Sequence, residues 1–130
     1  IEFYKTLFGA KIGRAYVNWV DINLFGTSIT FVESKEYLIE CPNYTFDNRV
    51  LPSFHFGLVV DHKDWLKSLE KVKELEINFF SPVKYLVGKP GEHQSFFIED
   101  PSGHMFELKT FEQPEEIFRA KNEHLCHTGK

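Results

Sequence analysis

A histidine and a glutamate within apolar segments are the residues whose types and positions favour chemistry. His55 is flanked by Phe54 and Phe56 in FHFGLVV, and Glu107 alternates with apolar residues in HMFELKTF. Imidazole nitrogens and carboxylate oxygens both bind divalent metals. Each residue also has an ordinary explanation, because a histidine can lie at the edge of a core and a glutamate on a solvated strand face. The residues alone leave both explanations open.

The other histidines are weaker candidates. His93 follows a glycine-rich loop, where it can contact a substrate, orient a ligand or lie on the surface. His104 occupies a turn, which favours a structural role, and His62 is predicted to be exposed near the start of a helix. A zinc site is not predicted in the tail, because its cluster lacks a partner pair. That cluster comprises His124, Cys126 and His127.

Composition predicts a single small domain that binds neither nucleic acid nor membranes. The chain has 130 residues, 42% of them hydrophobic, and its 14 Phe, 5 Tyr and 2 Trp suffice for a core or for an aromatic-lined cavity. The net charge of −4, with Lys and Glu intermixed, excludes a basic stripe. No apolar run approaches the length of about 20 residues that spans a membrane. Cys41 and Cys126 are expected to be reduced thiols, which indicates a cytoplasmic location.

Periodicity predicts an α+β fold. The first half reads as one helix followed by strands, a long loop separates the halves, and the second half reads as strand, helix and strands. Asp61 or Asp64 is the expected cap of the second helix. The predicted elements are a helix over 1–9, strands over 13–20 and 27–33, a loop over 34–53, a strand over 54–60, a helix to about 77, strands over 83–87, 94–99 and 104–111, and a polar helix from 114.

The two halves repeat one pattern. The helix segment FYKTLFGAKIG echoes WLKSLEKVKELEI, and the hairpin DINLFGTSITF echoes IEDPSGHMFEL. Aligning Gly26 with Gly103 places Thr30 opposite Glu107. The second half has an additional strand at its start. If the halves are copies, the first has lost its leading strand, and the chain opens at Ile1 within a helix.

Three segments carry a resemblance to a known family. FYKTLFGAKIGR, HFGLVVDHKDW and GKPGEHQSFFIEDPSGHMFELKTF resemble the first helix, the second-module opening and the closing hairpin of the vicinal oxygen chelate superfamily. This superfamily includes glyoxalases, extradiol dioxygenases, fosfomycin-resistance enzymes and bleomycin-binding proteins. The resemblance implies tandem βαβββ modules that form a cupped mixed sheet. The implied division of the single 1–130 domain is a first module over 1–40, a linking loop over 41–53, a second module over 54–111 and a tail over 112–130.

The resemblance also implies a metal site. His55 matches the first-strand ligand of the second module and Glu107 its last-strand ligand, with Glu107 a candidate proton carrier. The implied metal is Fe²⁺, Mn²⁺, Ni²⁺ or Zn²⁺. The first module departs from the pattern, because Thr30 occupies its last-strand ligand position and its upstream histidine would precede Ile1. With one upstream histidine the site would be a two-His-one-carboxylate triad.

Two functions follow as hypotheses. The first is a metal-dependent lyase or dioxygenase that acts on a small substrate with adjacent oxygens. The second is a metal-free protein that binds a small molecule or drug, as bleomycin-resistance proteins do, or a pseudoenzyme. A homodimer is expected by analogy with the family. The predicted substrate pocket contains Thr30, Phe56, Tyr85, His93 and Phe96, and Trp19, Phe31 and Phe54 are further candidates for an aromatic lining.

Overall fold

A computed structural model describes residues 1–35, 43–46, 49–52 and 54–118. The first part of the chain forms helix α1 (Glu2–Phe8) and strands β1 (Lys11–Tyr16), β2 (Trp19–Leu24) and β3 (Thr27–Val32). Strands β4 (Asn43–Phe46) and β5 (Arg49–Pro52) follow. The remaining elements are β6 (Phe56–Val59), α2 (His62–Glu74), β7 (Phe79–Tyr85), β8 (His93–Glu99), β9 (Met105–Phe111) and a 3₁₀ turn (Pro114–Glu116).

The first sheet has the antiparallel order β1-β2-β3. The single strand predicted over 13–20 is wrong, because the chain turns at Val17 and Asn18 and places Tyr16 opposite Trp19. The residues around this turn (YVNWV) are mostly β-branched and aromatic, so composition did not reveal the turn. Val17 at its tip is 85% exposed, although its side chain is apolar.

The predicted loop over 34–53 also contains regular structure. Strands β4 and β5 pair antiparallel within it, with Phe46 opposite Arg49. The segment carries two prolines and little alternation, so neither strand has a strong sequence signal. The prediction of a continuous loop is wrong over 43–46 and 49–52.

The second sheet has the order β6-β9-β8-β7. Strand β6 pairs parallel with β9 and places Gly57 opposite Glu107, while β8 and β9 pair antiparallel through the turn at 100–104. The helix α2 connects the edge strand β6 to the other edge strand β7. This strand-helix-strand-strand-strand order is the expected βαβββ module. The first part of the chain has the same order from its helix onwards.

The two parts share one hydrophobic core. Residues of α1, β2 and α2 pack with alternate residues of β8 and β9, so that Phe96 contacts Trp65 and Phe106 contacts Phe8. Because side chains of a strand alternate between faces, Phe106 and Leu108 enter this core while Glu107 and Lys109 lie on the opposite face of the sheet. The core therefore decides which face of β9 is available to a ligand.

Candidate functional site

His55 and Glu107 converge on the face of the second sheet that points away from the core. Their Nε2 and Oε2 atoms are 3.6 Å apart, and their side chains are 23% and 6% exposed. The parallel pairing of β6 with β9 causes this proximity, because His55 immediately precedes β6 and Gly57 lies directly beside Glu107. The ring of His55 also stands edge-on to Phe97, with centroids 5.2 Å apart.

Because Gly57 has no side chain, the Glu107 carboxylate can occupy the space beside it. A Cβ atom at position 57 would lie 3.0 Å from the Cβ and the carbonyl oxygen of Glu107, and 3.1 Å from its Oε2. These distances are shorter than ordinary van der Waals contacts. A glycine at this strand position therefore permits the close approach of the two chains.

Lys109 is a third member of the site and was not predicted from the sequence. Its ammonium Nζ lies 2.9 Å from Oε2 of Glu107, and its side chain is 27% exposed. The sequence does contain a signal for this residue, because Lys109 follows Glu107 by two positions and residues two apart on a strand share a face. Glu107 is thus an acceptor placed between an imidazole and an ammonium.

The pair of His55 and Glu107 fits a divalent ion in its donor types and spacing. Imidazole nitrogen and carboxylate oxygen each bind such ions at about 2.0–2.2 Å, so donors separated by 3.6 Å can reach one ion together. Among the residues that the structure describes, no group of three or more His, Cys, Asp or Glu side chains gathers as a metal site. Any further ligand would therefore come from water, from the substrate or from outside the described residues.

A family comparison decides the assignment. The model of the Glyoxalase/Bleomycin resistance protein/Dioxygenase superfamily matches residues 1–108. The chain belongs to this superfamily. The resemblance and the α+β fold inferred from the sequence are both confirmed.

Solved structures and a curated relative resemble this superfamily member. A glyoxalase/bleomycin resistance protein/dioxygenase from Alicyclobacillus acidocaldarius is 24% identical, with a TM-score of 0.70 over 91% of this chain and 84% of that one. A variant of the fosfomycin resistance protein FosX from Listeria monocytogenes, complexed with Mn(II) and 1S,2S-dihydroxypropylphosphonic acid, is 17% identical with a TM-score of 0.62, covering 92% and 85% of the respective chains. A uronate isomerase from Histophilus somni is 30% identical in an alignment 104 residues long that covers 75% of this chain and 22% of that protein. The chain thus spans about a fifth of that relative's length.

The residue that aligns with Glu107 in the first half, Thr30, takes part in a different polar cluster. Its hydroxyl donates to Oδ1 of Asp21 at 2.6 Å, and Arg14 donates from Nε to Oδ2 of Asp21 at 3.0 Å. The hydrogen bond from Thr30 is the largest influence on the pKa of Asp21, and with Arg14 it holds that pKa below the usual value despite the opposing effect of burial. The carboxylate of this superfamily member's first sheet thus lies on β2 and is already paired. Neither Asp21 nor Arg14 was predicted from the sequence as a functional residue.

The predicted pocket residues do not share one face. Phe56 packs against Phe106, and Phe96 is fully buried against Trp65, so both belong to the core on the side of the sheet opposite Glu107. Tyr85 and His93 lie across from each other on β7 and β8, with stacked rings 5.3 Å apart.

His93 also stacks on Phe111 at 5.0 Å, and its Nδ1 contacts the carbonyl oxygen of Gly91 at 2.8 Å. Its pairing with Phe111, two positions beyond Lys109, places it on the same face as Glu107 but farther along the sheet. The structure thus brings together His55, Glu107 and Lys109, and leaves Thr30, Phe56 and Phe96 outside that cluster.

The remaining histidines have structural surroundings. His104 directs Nδ1 to Oδ2 of Asp100 at 3.0 Å, as expected for a turn residue, and His62 stacks on Trp65 at 6.1 Å. The tail candidates His124, Cys126 and His127, together with Cys41, lie outside the described residues. Within the described part of the chain, no helix combines the length and apolar character needed to cross a membrane.

Proposed function

We propose that this superfamily member is a divalent-metal-dependent enzyme that acts on a small substrate with adjacent oxygens. The observation that carries the proposal is the 3.6 Å separation between Nε2 of His55 and Oε2 of Glu107. These two side chains would hold Fe²⁺, Mn²⁺, Ni²⁺ or Zn²⁺. The FosX variant with Mn(II) and a dihydroxypropylphosphonic acid supports the choice of metal and substrate class.

The bound ion would supply Lewis-acid stabilisation of charge developing on the substrate oxygens, in a lyase or dioxygenase reaction. The chain's own residues provide orientation and proton transfer. His55 presents Nε2, and its edge contact with Phe97 restrains the ring. Glu107 is the proposed proton carrier when its carboxylate leaves the metal, since that carboxylate lies 3.6 Å from the His55 imidazole and 2.9 Å from the Lys109 ammonium.

A metal titration tests this proposal. We expect Mn²⁺ to bind the purified chain and to raise its Tm, and we expect His55→Ala and Glu107→Gln each to weaken binding by at least about tenfold through loss of a ligand. His62→Ala is the matched control, because this histidine stacks on Trp65 instead of facing Glu107. Calorimetry and thermal unfolding provide the readouts. Absence of Mn²⁺ and Zn²⁺ binding to the wild-type chain would contradict the proposal, as would unchanged binding in the His55 variant.

A second function, metal-free binding of a small molecule, is favoured by one observation. The Lys109 ammonium already contacts the Glu107 carboxylate at 2.9 Å, so the negative charge of Glu107 is balanced by a lysine without any metal. Under this alternative the protein is a drug-binding or pseudoenzyme member of the superfamily. Repeating ligand titrations in the presence of a chelator separates the two, because metal-free binding would persist there.

Two further proposals concern the state of the protein. We propose a homodimer, which superfamily membership supports because such proteins commonly dimerise. We also propose a cytoplasmic location. This proposal rests on the low number of cysteines in the chain, which is two.

A further inference from the structure

We propose that Lys109 is an exchangeable cation of the site: it neutralises Glu107 in the metal-free protein and binds an anionic substrate oxygen once a metal takes Glu107. This inference rests on the proposed metal function and adds the charge of the substrate to it. Oε2 of Glu107 is the oxygen closest to Lys109, at 2.9 Å, and also the oxygen nearest to His55, at 3.6 Å. A metal bound between His55 and Glu107 would compete with the ammonium for that oxygen.

The charges of the cluster define the substrate class. As a metal ligand His55 is neutral, and the carboxylate of Glu107 cancels the ammonium of Lys109. A divalent ion therefore adds two positive charges that the three side chains leave uncompensated. Charge at a largely buried site is costly unless it is paired. The substrate that completes the site is accordingly a dianion whose adjacent oxygens chelate the ion.

The side chains of His55, Glu107 and Lys109 differ in exposure, and this difference places Lys109 where such a substrate enters. Glu107 is only 6% exposed, whereas the side chains of Lys109 and His55 are 27% and 23% exposed. A ligand that approaches this face meets the ammonium and the imidazole before it meets the carboxylate. The flexible stem of a lysine allows its ammonium to move between partners without backbone change.

A buried hydroxyl offers the displaced ammonium a second contact. Ser95 lies directly across from Lys109 in the pairing of β8 with β9, and it is 0% exposed. Within the part of the chain that the structure describes, its Oγ has no hydrogen-bond partner. Buried polar atoms without partners are uncommon and cost about 1–3 kcal/mol each, so they call for an explanation. We assign Ser95 as the positioning residue that accepts from Lys109 when Glu107 binds the metal.

The test measures the affinity of the protein for Mn²⁺ and the affinity of the Mn²⁺-loaded protein for oxalate. Removing the Lys109 ammonium is expected to raise the first affinity and lower the second. Mn²⁺ is titrated into the full chain, and oxalate, a dianion with adjacent oxygens, is then titrated into the Mn²⁺-loaded protein. The electron paramagnetic resonance spectrum of the bound ion distinguishes a ternary complex from removal of the metal by oxalate. Butane-2,3-dione, which has adjacent oxygens but no charge, is the neutral probe.

Lys109→Met is expected to bind Mn²⁺ about tenfold more tightly, because the competing cation is gone, and oxalate about tenfold more weakly. Lys109→Arg keeps the charge and is expected to retain oxalate affinity within about threefold.

Ser95→Ala is expected to leave Tm unchanged or raised and still to weaken oxalate binding. Lys84→Met is the matched control, because Lys84 pairs with Glu112 and Glu92 elsewhere on the same sheet. Dione binding is expected to be equal in all variants.

The outcomes separate this inference from the function on which it rests. If wild-type protein fails to bind Mn²⁺, the metal function itself is overturned, and the exchange with it. If Mn²⁺ binds through His55 and Glu107 but Lys109→Met changes neither affinity, or lowers both together, only the exchange is overturned. Equal loss of oxalate affinity in Lys109→Met and Lys84→Met would overturn the exchange as well, since the loss of one positive charge anywhere on the sheet would then explain the result.

Discussion

At the scale of the residue, the site depends on the absence of a side chain at position 57. Gly57 borders Glu107 so closely that any Cβ would press on both its backbone and its carboxylate. The backbone of Gly57 lies in a regular parallel strand, so its role is spatial. A methyl group there must displace either the strand or the carboxylate.

Gly57→Ala is therefore expected to lower the free energy of unfolding by about 1–3 kcal/mol through overpacking, and to weaken metal binding at Glu107. Urea unfolding and Mn²⁺ titration measure the two effects. Gly13→Ala is the matched control, because a Cβ at position 13 would lie 3.4 Å from the Cβ of Asp21, which is closer to ordinary contact. Equal costs in the two variants would show that the space beside Glu107 is not restrictive.

At the scale of the element, helix α2 supports the site from the far side of the sheet. The Nε1 atom of Trp65 donates to the carbonyl oxygen of Leu108 at 2.9 Å, and Trp65 packs against Phe96. The helix begins at a cap in which Oδ1 of Asp61 accepts from the backbone N–H of Asp64 at 2.8 Å. Of the two capping residues that the sequence allowed, Asp61 is the one that caps.

Loss of this cap is expected to cost stability without changing the site's chemistry. Asp61→Ala should lower the free energy of unfolding by about 1 kcal/mol, whereas Asp61→Asn should cost far less because an amide oxygen can also cap. Urea unfolding followed by circular dichroism measures both. Metal affinity is expected to stay unchanged, since Glu107 lies on the other face of β9. A cost for Asp61→Asn equal to that for Asp61→Ala would contradict the assignment of the cap.

Alternation predicted most strands of the two modules to within two residues, but the strand predicted over 83–87 lies at Phe79–Tyr85, and turns were predicted less well. The turn at Gly103 was evident because proline and glycine mark it, and the structure places it between β8 and β9. The turn at Val17 has no such marker, and an apolar residue occupies an exposed tip. Strand boundaries that depend on long-range pairing are therefore not encoded in local composition.

At the scale of the whole molecule, α1 joins the first module to the second. The Tyr4 hydroxyl donates to Oδ2 of Asp100 at 3.0 Å, and its ring meets Phe106 edge-on at 6.1 Å. Burial, and then the nearby Asp100 carboxylate, raise the pKa of Tyr4, so the hydroxyl stays protonated and continues to donate. Asp100 also accepts from the backbone N–H groups of Ser102 and His104, which closes the turn before β9.

Tyr4→Phe is expected to destabilise both modules together. Removing the hydroxyl takes one donor from the buried Asp100 carboxylate, at a cost of about 1–3 kcal/mol. Trp19 reports on the first sheet and Trp65 on the second, so fluorescence-monitored unfolding in Trp65→Phe and Trp19→Phe backgrounds measures each part. Equal shifts of both transitions are expected for one cooperative unit. A shift confined to the Trp19 signal would contradict a shared core.

The sequence by itself determined the superfamily, the order of the module elements and the presence of a histidine next to one strand and a glutamate within another strand of the second module. Those features are local, since they depend on alternation, on glycine and proline at turns, and on segments such as HFGLVVDHKDW. Tertiary structure alone decided that β6 pairs parallel with β9, and this pairing brings His55 to Glu107. It also decided which face of each strand meets the core, and so it turned Phe56 and Phe96 towards the core and placed Lys109 beside Glu107. Alternation assigns side chains to two faces, but only packing against α1 and α2 decides which of those faces remains open to a ligand.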